Sequence, residues 1–428
     1  MASTSNPTQS SPLTDNFYSP SNYEFYAHQP YQHLDKDSNA IRLIRVFKTE
    51  SGELQCRLVH NIPLAEAADT FTAISYCAGD PKQTRTIQVD GLSFNAFANL
   101  AYAIEQAYQH CSTARGANGV LLWADQICIN QSNLSERSHQ VGFMHEIYKS
   151  AQDVVACLST ADHVGADAIT WIKEAHTYLP KPEPEQNYFA LKRSLKGLRP
   201  EYPFKTWFWS LIASETFETT WCDVMQMIKQ PWWSRAWICQ EYMSAEHVVF
   251  IYGGQTAEGN IVQSIMYLLI FNVRSLFDPS EFSNWIHAQA LQQSTTEQSV
   301  MIEQFEKIAM HFVDLRASLI YMVMRGASKD DGAVDLGILL NHSRSCKASD
   351  ARDHVFAFLK LAPNDYGICV NYDTDNTLED LFTEVARKVI DQDEDLNILS
   401  YRESTDFNGR SPRLPSWVFV LFSSTSRN

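Results

Sequence analysis

Two carboxylates in the first third of the chain are the first candidates for chemistry. Asp125 ends the apolar run at 120–124, and Glu136 lies on the first turn of the helix predicted after it. Carboxylates in such positions can transfer protons or stabilise developing positive charge. Together with neighbouring polar groups they make a set of six candidate site residues, namely Ser75, Tyr76, Asp125, Cys128, Glu136 and Arg137.

Several of these six residues, including both carboxylates, also have a structural interpretation. Ser75 and Asp125 fall where chains turn, so their side chains could simply cap the following turns. Asn133 and Glu136 have the spacing of a capping box, in which the carboxylate binds a free backbone N–H at the helix start. Both interpretations of each residue remain open from the sequence.

The stretch at 119–159 predicts the elements that position these residues. A short apolar run at 120–124 favours a buried strand, an apolar face spaced by three and four residues favours a helix, and a second strand-like run follows at 154–158. Strand, helix and strand in about 40 residues form a βαβ unit with parallel strands. Alternating elements over 71–159 predict an α/β fold with a mostly parallel sheet and flanking helices, followed by a mainly helical region. Ligands of such sheets bind at the carboxyl ends of the strands, and Ser75, Tyr76, Asp125 and Cys128 all fall at or near such ends.

The chain is predicted to have five parts. Residues 1–38 are rich in Ser, Pro, Asn and Gln and predict a disordered tail, and the proline-rich stretch at 180–185 predicts a boundary. The predicted parts are the tail at 1–38, an α/β core at 39–180, a mainly helical part at 181–260 with a strand near 247–252, a helical region at 261–418 and a short tail at 419–428. Truncation is an alternative explanation of the short tail.

Charge and composition exclude several classes of function. The net charge of −16 argues against nucleic-acid or anionic-membrane partners, because both need clustered Lys and Arg. The nine cysteines are scattered and without a C-x-x-C pair, which favours reduced thiols over disulfides or zinc. No apolar run approaches the roughly 18 residues that span a bilayer. We therefore expect a cytoplasmic protein without a membrane span.

Four common catalytic signatures are missing from the sequence. It contains neither the phosphate-binding loop G-x-x-x-x-G-K-[ST] nor G-x-G-x-x-G, no H-E-x-x-H and no G-x-S-x-G. The sequence therefore predicts no metal and no firm cofactor. Arg235, Gln240 and Glu241 follow a tryptophan-rich segment, where they could form an internal polar network or part of an interface.

The order of several motifs resembles the fungal heterokaryon-incompatibility (HET) domain. The resemblance extends over about 40–418 and is carried by TAISYCAGD at 72–80, LWADQICINQ at 122–131, the helix at 136–151, WWSRAWICQE at 232–241, the segment at 350–356, NY at 371–372 and LPSW at 414–417. Two departures stand out: Ala78 replaces the tryptophan of the first motif, and VFVL replaces the usual continuation after Trp417.

The resemblance implies a role in non-self recognition and programmed cell death, through self-association or docking to protein partners. HET domains are distantly similar to Toll/interleukin-receptor (TIR) domains, which have a flavodoxin-like sheet, and some TIR domains cleave NAD. By that analogy the chain is alternatively an NAD glycohydrolase with NAD as its substrate. Glu136, with Asp125 second, would then be catalytic, and the other four candidates would line the NAD site. A third alternative is an inactive or truncated family member.

Overall fold

The computed structural model describes most of the chain. The described residues are 22–115, 119–158, 165–179, 203–214, 217–289, 295–310, 334–373, 375–394 and 396–401, together with Pro415 and Val418. The predicted boundary at 180–185 and the tail at 419–428 lie outside them. No helix in these ranges is long and apolar enough to cross a membrane.

The described strands form one mixed sheet. Its strands are β1 (Ile41–Lys48), β2 (Leu54–Ile62), β3 (Thr72–Tyr76), β4 (Thr84–Val89), β5 (Leu92–Phe97), β6 (Val120–Trp123), β7 (Asp153–Cys157), β8 (Val248–Tyr252) and β9 (Gln255–Glu258). Their order across the sheet is β5-β4-β2-β1-β6-β3-β7-β8-β9.

The centre of the sheet is parallel and its flanks are mostly antiparallel. Strands β6, β3, β7 and β8 run parallel to one another, whereas β1 pairs antiparallel with both β2 and β6. Of the eight pairings among the described strands, four are parallel and four antiparallel. The prediction of a mostly parallel sheet therefore holds for the centre only. The strands of the predicted βαβ unit, β6 and β7, are parallel as expected, but β3 lies between them.

Helices cover the sheet and continue beyond it. They are α1 (Tyr23–Ala27), α2 (Leu64–Ala67), α3 (Ala98–Arg115), α4 (Asp125–Cys128), α5 (Leu134–Gly142), α6 (Met144–Ser150), α7 (Ala166–Thr177), α8 (Pro203–Ile212), α9 (Phe217–Ile228), α10 (Ile238–Met243), α11 (Gly259–Leu276), α12 (Pro279–Gln289), α13 (Thr295–Met310), α14 (Leu336–Ser343), α15 (Asp353–Leu359) and α16 (Leu378–Asp393). A single turn of 3-10 helix, Pro231–Ser234, precedes α10. The predicted crossover helix is split in two at Phe143, which ends α5 and begins α6.

The sheet crosses one of the predicted boundaries. Strand β8 pairs directly with β7, from Val154↔Val248 to Cys157↔Ile251. Residues assigned to the part at 181–260 thus extend the sheet of the part at 39–180. Both parts share one hydrophobic core, which contains Val155, Phe250 and Trp232.

The predicted disorder of residues 1–38 is wrong for residues 22–38. Phe25 is 2% exposed and packs edge-on against Phe94 of β5, with ring centroids 4.9 Å apart. Asn22 donates from its side chain to the Asn95 carbonyl at 3.0 Å and accepts from the Asn95 N–H at 2.7 Å. The aromatic side chains gain enough from burial on the sheet edge to order a segment whose average composition is polar.

Candidate functional site

The ends of two parallel strands bring the first site residues together. Ser75 and Tyr76 are the last residues of β3, and Asp125 follows β6 as the first residue of α4. Since β3 and β6 are parallel neighbours, their carboxyl ends lie at the same edge of the sheet. The hydroxyl of Tyr76 donates to Asp125 Oδ1 at 3.1 Å, which joins the two strand ends directly.

A segment more than 100 residues further along the chain completes this group. Glu241 on α10 accepts a hydrogen bond from the Ser75 hydroxyl, and the indole of Trp232 donates to Ser75 Oγ at 2.8 Å. We call the resulting group the polar cluster, and its members are Ser75, Tyr76, Asp125, Trp232, Arg235 and Glu241.

Arg235 provides the positive charge of the polar cluster. Its two terminal nitrogens donate to the two carboxylate oxygens of Glu241 at 3.1 and 3.0 Å. The side chain of Arg235 is 17% exposed and that of Glu241 is 4% exposed, so the pair is largely removed from water. Two parallel hydrogen bonds of this kind fix the orientation of both side chains.

The electrostatics of the polar cluster favour proton exchange at Asp125. Burial and the nearby Glu241 carboxylate raise the pKa of Asp125 to about 6, although Arg235 and the hydrogen bonds from the Gln126 N–H and Tyr76 act in the opposite direction. Burial and the same Asp125 carboxylate raise the pKa of Tyr76. A carboxyl group with a pKa near neutrality can both give and accept a proton, which is the property of acid–base groups at functional sites.

The raised pKa of Asp125 predicts a pH dependence of stability. Because an ordinary aspartate has a pKa of about 3.9, the folded state retains a proton that the unfolded state loses between about pH 4 and 6. The stability that this group contributes is therefore complete below about pH 4 and is lost as the pH rises to 6. Asp125→Asn should remove this dependence of stability on pH. The measurement is the denaturation midpoint of wild type and variant across pH 3.5–7.5, and the difference between the two midpoints should change with pH. A difference that does not change with pH would contradict the assignment. Asp353, whose pKa burial also raises to about 6, is present in both proteins and cancels.

Glu136 lies outside the polar cluster. Its carboxylate binds the guanidinium of Arg42 at 2.9 Å and accepts from the Asn130 N–H at 2.8 Å. Asn133 caps α5 by accepting from the Glu136 N–H at 3.1 Å, so half of the predicted capping box is formed. Glu136 and Asp125 are thus bound to different partners and do not form one catalytic pair.

Arg42 explains why Glu136 is held there. This side chain is completely buried, and its guanidinium also donates to the carbonyls of Cys128 at 2.6 Å and Gln32 at 2.9 Å. The ring of Tyr31 lies 4.5 Å from the guanidinium carbon. A buried cation needs a counter-ion and hydrogen-bond acceptors, and Glu136 with the two carbonyls supplies them.

The remaining two predicted site residues, Cys128 and Arg137, also lie outside the polar cluster. Cys128 is fully buried, and burial raises the pKa of its thiol to about 12, so the side chain belongs to the core. Arg137 is 7% exposed and lies over the ring of Tyr372 at 4.2 Å, in contact with the C-terminal region. The structure therefore assembles three of the six predicted residues, Ser75, Tyr76 and Asp125.

Sequence reasoning left Trp232, Arg235 and Glu241 out of the predicted site. The signal was present, since these residues belong to the motif WWSRAWICQE, for which an internal polar network was one interpretation. The described residues contain no group of three or more His, Cys, Asp or Glu side chains that could hold a metal ion.

Comparisons with known proteins identify a family for the part of the chain that contains the polar cluster. Residues 71–241 match the family described as "Heterokaryon incompatibility protein (HET)", and this range begins just before Ser75 and ends at Glu241. The chain is 24% identical over 424 residues to the "Heterokaryon incompatibility protein 6, OR allele" of Neurospora crassa. That alignment covers 90% of this chain, which spans 58% of the length of the relative. No solved structure matches the chain significantly.

Proposed function

We propose that this chain, which carries a HET domain at residues 71–241, acts in fungal heterokaryon incompatibility, the non-self recognition that ends in programmed cell death. The single observation that carries the proposal is the match of residues 71–241 to the HET family. The similarity to a Neurospora incompatibility protein over 90% of the chain supports the same function.

The polar cluster suggests how such a domain is kept in one conformation. It links the end of β3, the start of α4 and the start of α10 through charged and hydrogen-bonded groups with little access to water. Buried polar networks of this kind specify one arrangement of the elements they join, because an incomplete network leaves unpaired buried groups. We propose that the HET domain signals by changing this arrangement, with self-association or a protein partner as the output.

The NAD-cleaving alternative gains no support from the geometry. It rested on Glu136 as the carboxylate that supports the ribose, and this carboxylate is 11% exposed and bound to Arg42. Asp125, the second choice, is bound to Tyr76 within the polar cluster. We therefore base the proposed function on signalling and not on catalysis.

The proposal can be tested in a filamentous fungus. The full chain is expressed from an inducible promoter in a panel of strains, and hyphal death is measured with a vital dye after cell fusion. We expect at least a tenfold rise in dead fused cells for the wild-type chain in one or more strain pairs. Asp125→Asn should reduce this rise, because the substitution changes the charge of the polar cluster with little change in shape.

The matched control is Arg85→Ala. Arg85 forms a bidentate ion pair with Glu105 on the surface of the same domain, at 2.8 and 3.0 Å, with 52% of its side chain exposed. This variant should kill as efficiently as wild type. Equal death with the wild-type chain and with an empty vector in every strain pair, at confirmed expression, would refute the proposed function.

A further inference from the structure

A segment outside the HET match forms backbone hydrogen bonds to the residues just before α10, the helix that carries Glu241. Lys347 forms a parallel bridge with Arg235: its N–H donates to the Ser234 carbonyl at 2.6 Å, and its carbonyl accepts from the Ala236 N–H at 3.0 Å. These backbone bonds fix the residues on both sides of Arg235. We call residues 346–373 the C-terminal clamp.

The second contact of the C-terminal clamp is on α10 itself. The side-chain amide of Gln240 donates to the Phe356 carbonyl at 3.2 Å, and the thiol of Cys239 donates to the Ala357 carbonyl at 2.9 Å. Both acceptors are on α15. Since Gln240 directly precedes Glu241, the position of the Glu241 carboxylate depends on where α15 sits.

The third contact is on α5 of the HET domain. The guanidinium of Arg137 lies over the Tyr372 ring at 4.2 Å, and the Tyr372 N–H donates to the Ser138 hydroxyl at 3.3 Å. Arg352 approaches the same ring at 5.2 Å, and the hydroxyl of Tyr372 donates to Asp353 at 2.7 Å. Tyr372 is 4% exposed and Asp353 5% exposed, so charged groups are enclosed in this contact.

We expect these contacts to be lost together and not one at a time. Buried charges add little net stability compared with apolar side chains, but they require a complete and correctly registered set of partners. Loss of one member leaves the others unpaired in the contact, which favours separation of the whole joint over gradual loosening. Helix α15 also contributes apolar side chains, among them Val355, Phe356 and Phe358, to the shared hydrophobic core, so release of the clamp must withdraw these side chains from that core as well.

We propose that the C-terminal clamp is a conformational latch, which holds Arg235 and Glu241 in the polar cluster and whose release opens that cluster. The existence of the latch does not depend on the proposed function. Only the consequence of its release, a change in signalling by the HET domain, rests on that function. The HET domain is then regulated by a part of the chain that lies outside the family match, through contacts to α5 and α10.

Amide hydrogen exchange of the full chain tests the latch. Tyr372→Leu removes both the aromatic face under Arg137 and the hydroxyl on Asp353. We expect exchange in the peptide covering 234–243 to rise at least tenfold, and exchange at 72–78 to rise with it, while β7 at 153–157 stays protected. If exchange rises only within 350–373 and 234–243 stays within twofold of wild type, the latch proposal is wrong.

Tyr366→Leu is the matched control, because Tyr366 is 5% exposed on the same segment but donates to Asp393 in the C-terminal region. It should raise exchange only within 363–393, and a rise at 234–243 equal to that of Tyr372→Leu would overturn the proposal.

If Tyr372→Leu unfolds the whole chain, Tyr372→Phe decides, since it removes only the hydroxyl. This variant should raise exchange at 234–243 by about threefold, and no change there would refute the latch. Exchange does not depend on cell death, so failure of the proposed function and failure of the latch are distinguishable.

Discussion

Glu136→Ala is expected to lower the free energy of unfolding by about 3–5 kcal/mol. The substitution leaves the fully buried guanidinium of Arg42 without its counter-ion and the Asn130 N–H without its acceptor. Removal of one partner of a buried ion pair is costly because the other charge stays in a medium that solvates it poorly. Urea denaturation followed by circular dichroism measures the loss.

Two further variants separate the possible roles of this residue. Asn133→Ala removes the N-cap of the same helix and should cost only about 1 kcal/mol, the usual value of a cap. Glu136→Gln keeps the shape and an acceptor oxygen but loses the charge, and it should fall between the two. If Glu136→Ala costs no more than Asn133→Ala, the ion pair with Arg42 is unimportant and the structural assignment of Glu136 is wrong.

The sequence predicted the strands at the centre of the sheet better than those at its edges. Strands β3, β6, β7 and β8 were predicted from apolar runs because they are buried on both faces. The edge strands β5 and β9 were missed. For β5 the signal was Asp90-Gly91, where both residues have positive φ and turn β4 back into β5. This dipeptide is a typical hairpin signal.

Three of the six residues of the polar cluster could be predicted from the sequence. Ser75, Tyr76 and Asp125 could be placed because the carboxyl ends of neighbouring parallel strands must lie together. Glu241 is 166 residues away from Ser75, and no local pattern links the two. Arg42 presents the same difficulty: its position in β1 looks like that of a surface residue, and only the fold reveals that Glu136 neutralises it 94 residues later. Predictions from spacing fail where a charge is satisfied by a distant partner.

Arg235→Ala is expected to cost about 3–5 kcal/mol, because it leaves the Glu241 carboxylate buried beside Ser75 without its cation. Arg85→Ala is the matched control on the surface. Arg85 makes the same bidentate contact with Glu105, but both side chains reach water, so its loss should cost at most about 1 kcal/mol. The two variants thus compare one geometry at two degrees of burial, and chemical denaturation measures both.

Further variants at the same pair show whether the charge or its geometry matters. Arg235→Lys keeps the charge and loses the two parallel hydrogen bonds, so its cost should be about half that of Arg235→Ala. The double variant Arg235→Ala/Glu241→Gln should be more stable than Arg235→Ala alone, because the uncompensated carboxylate is gone. A double variant that is less stable than Arg235→Ala by the full cost of Glu241→Gln would show that the two side chains act independently. Arg235 would then have no role in holding Glu241, and the latch would have no route through the Lys347 bridge to the polar cluster.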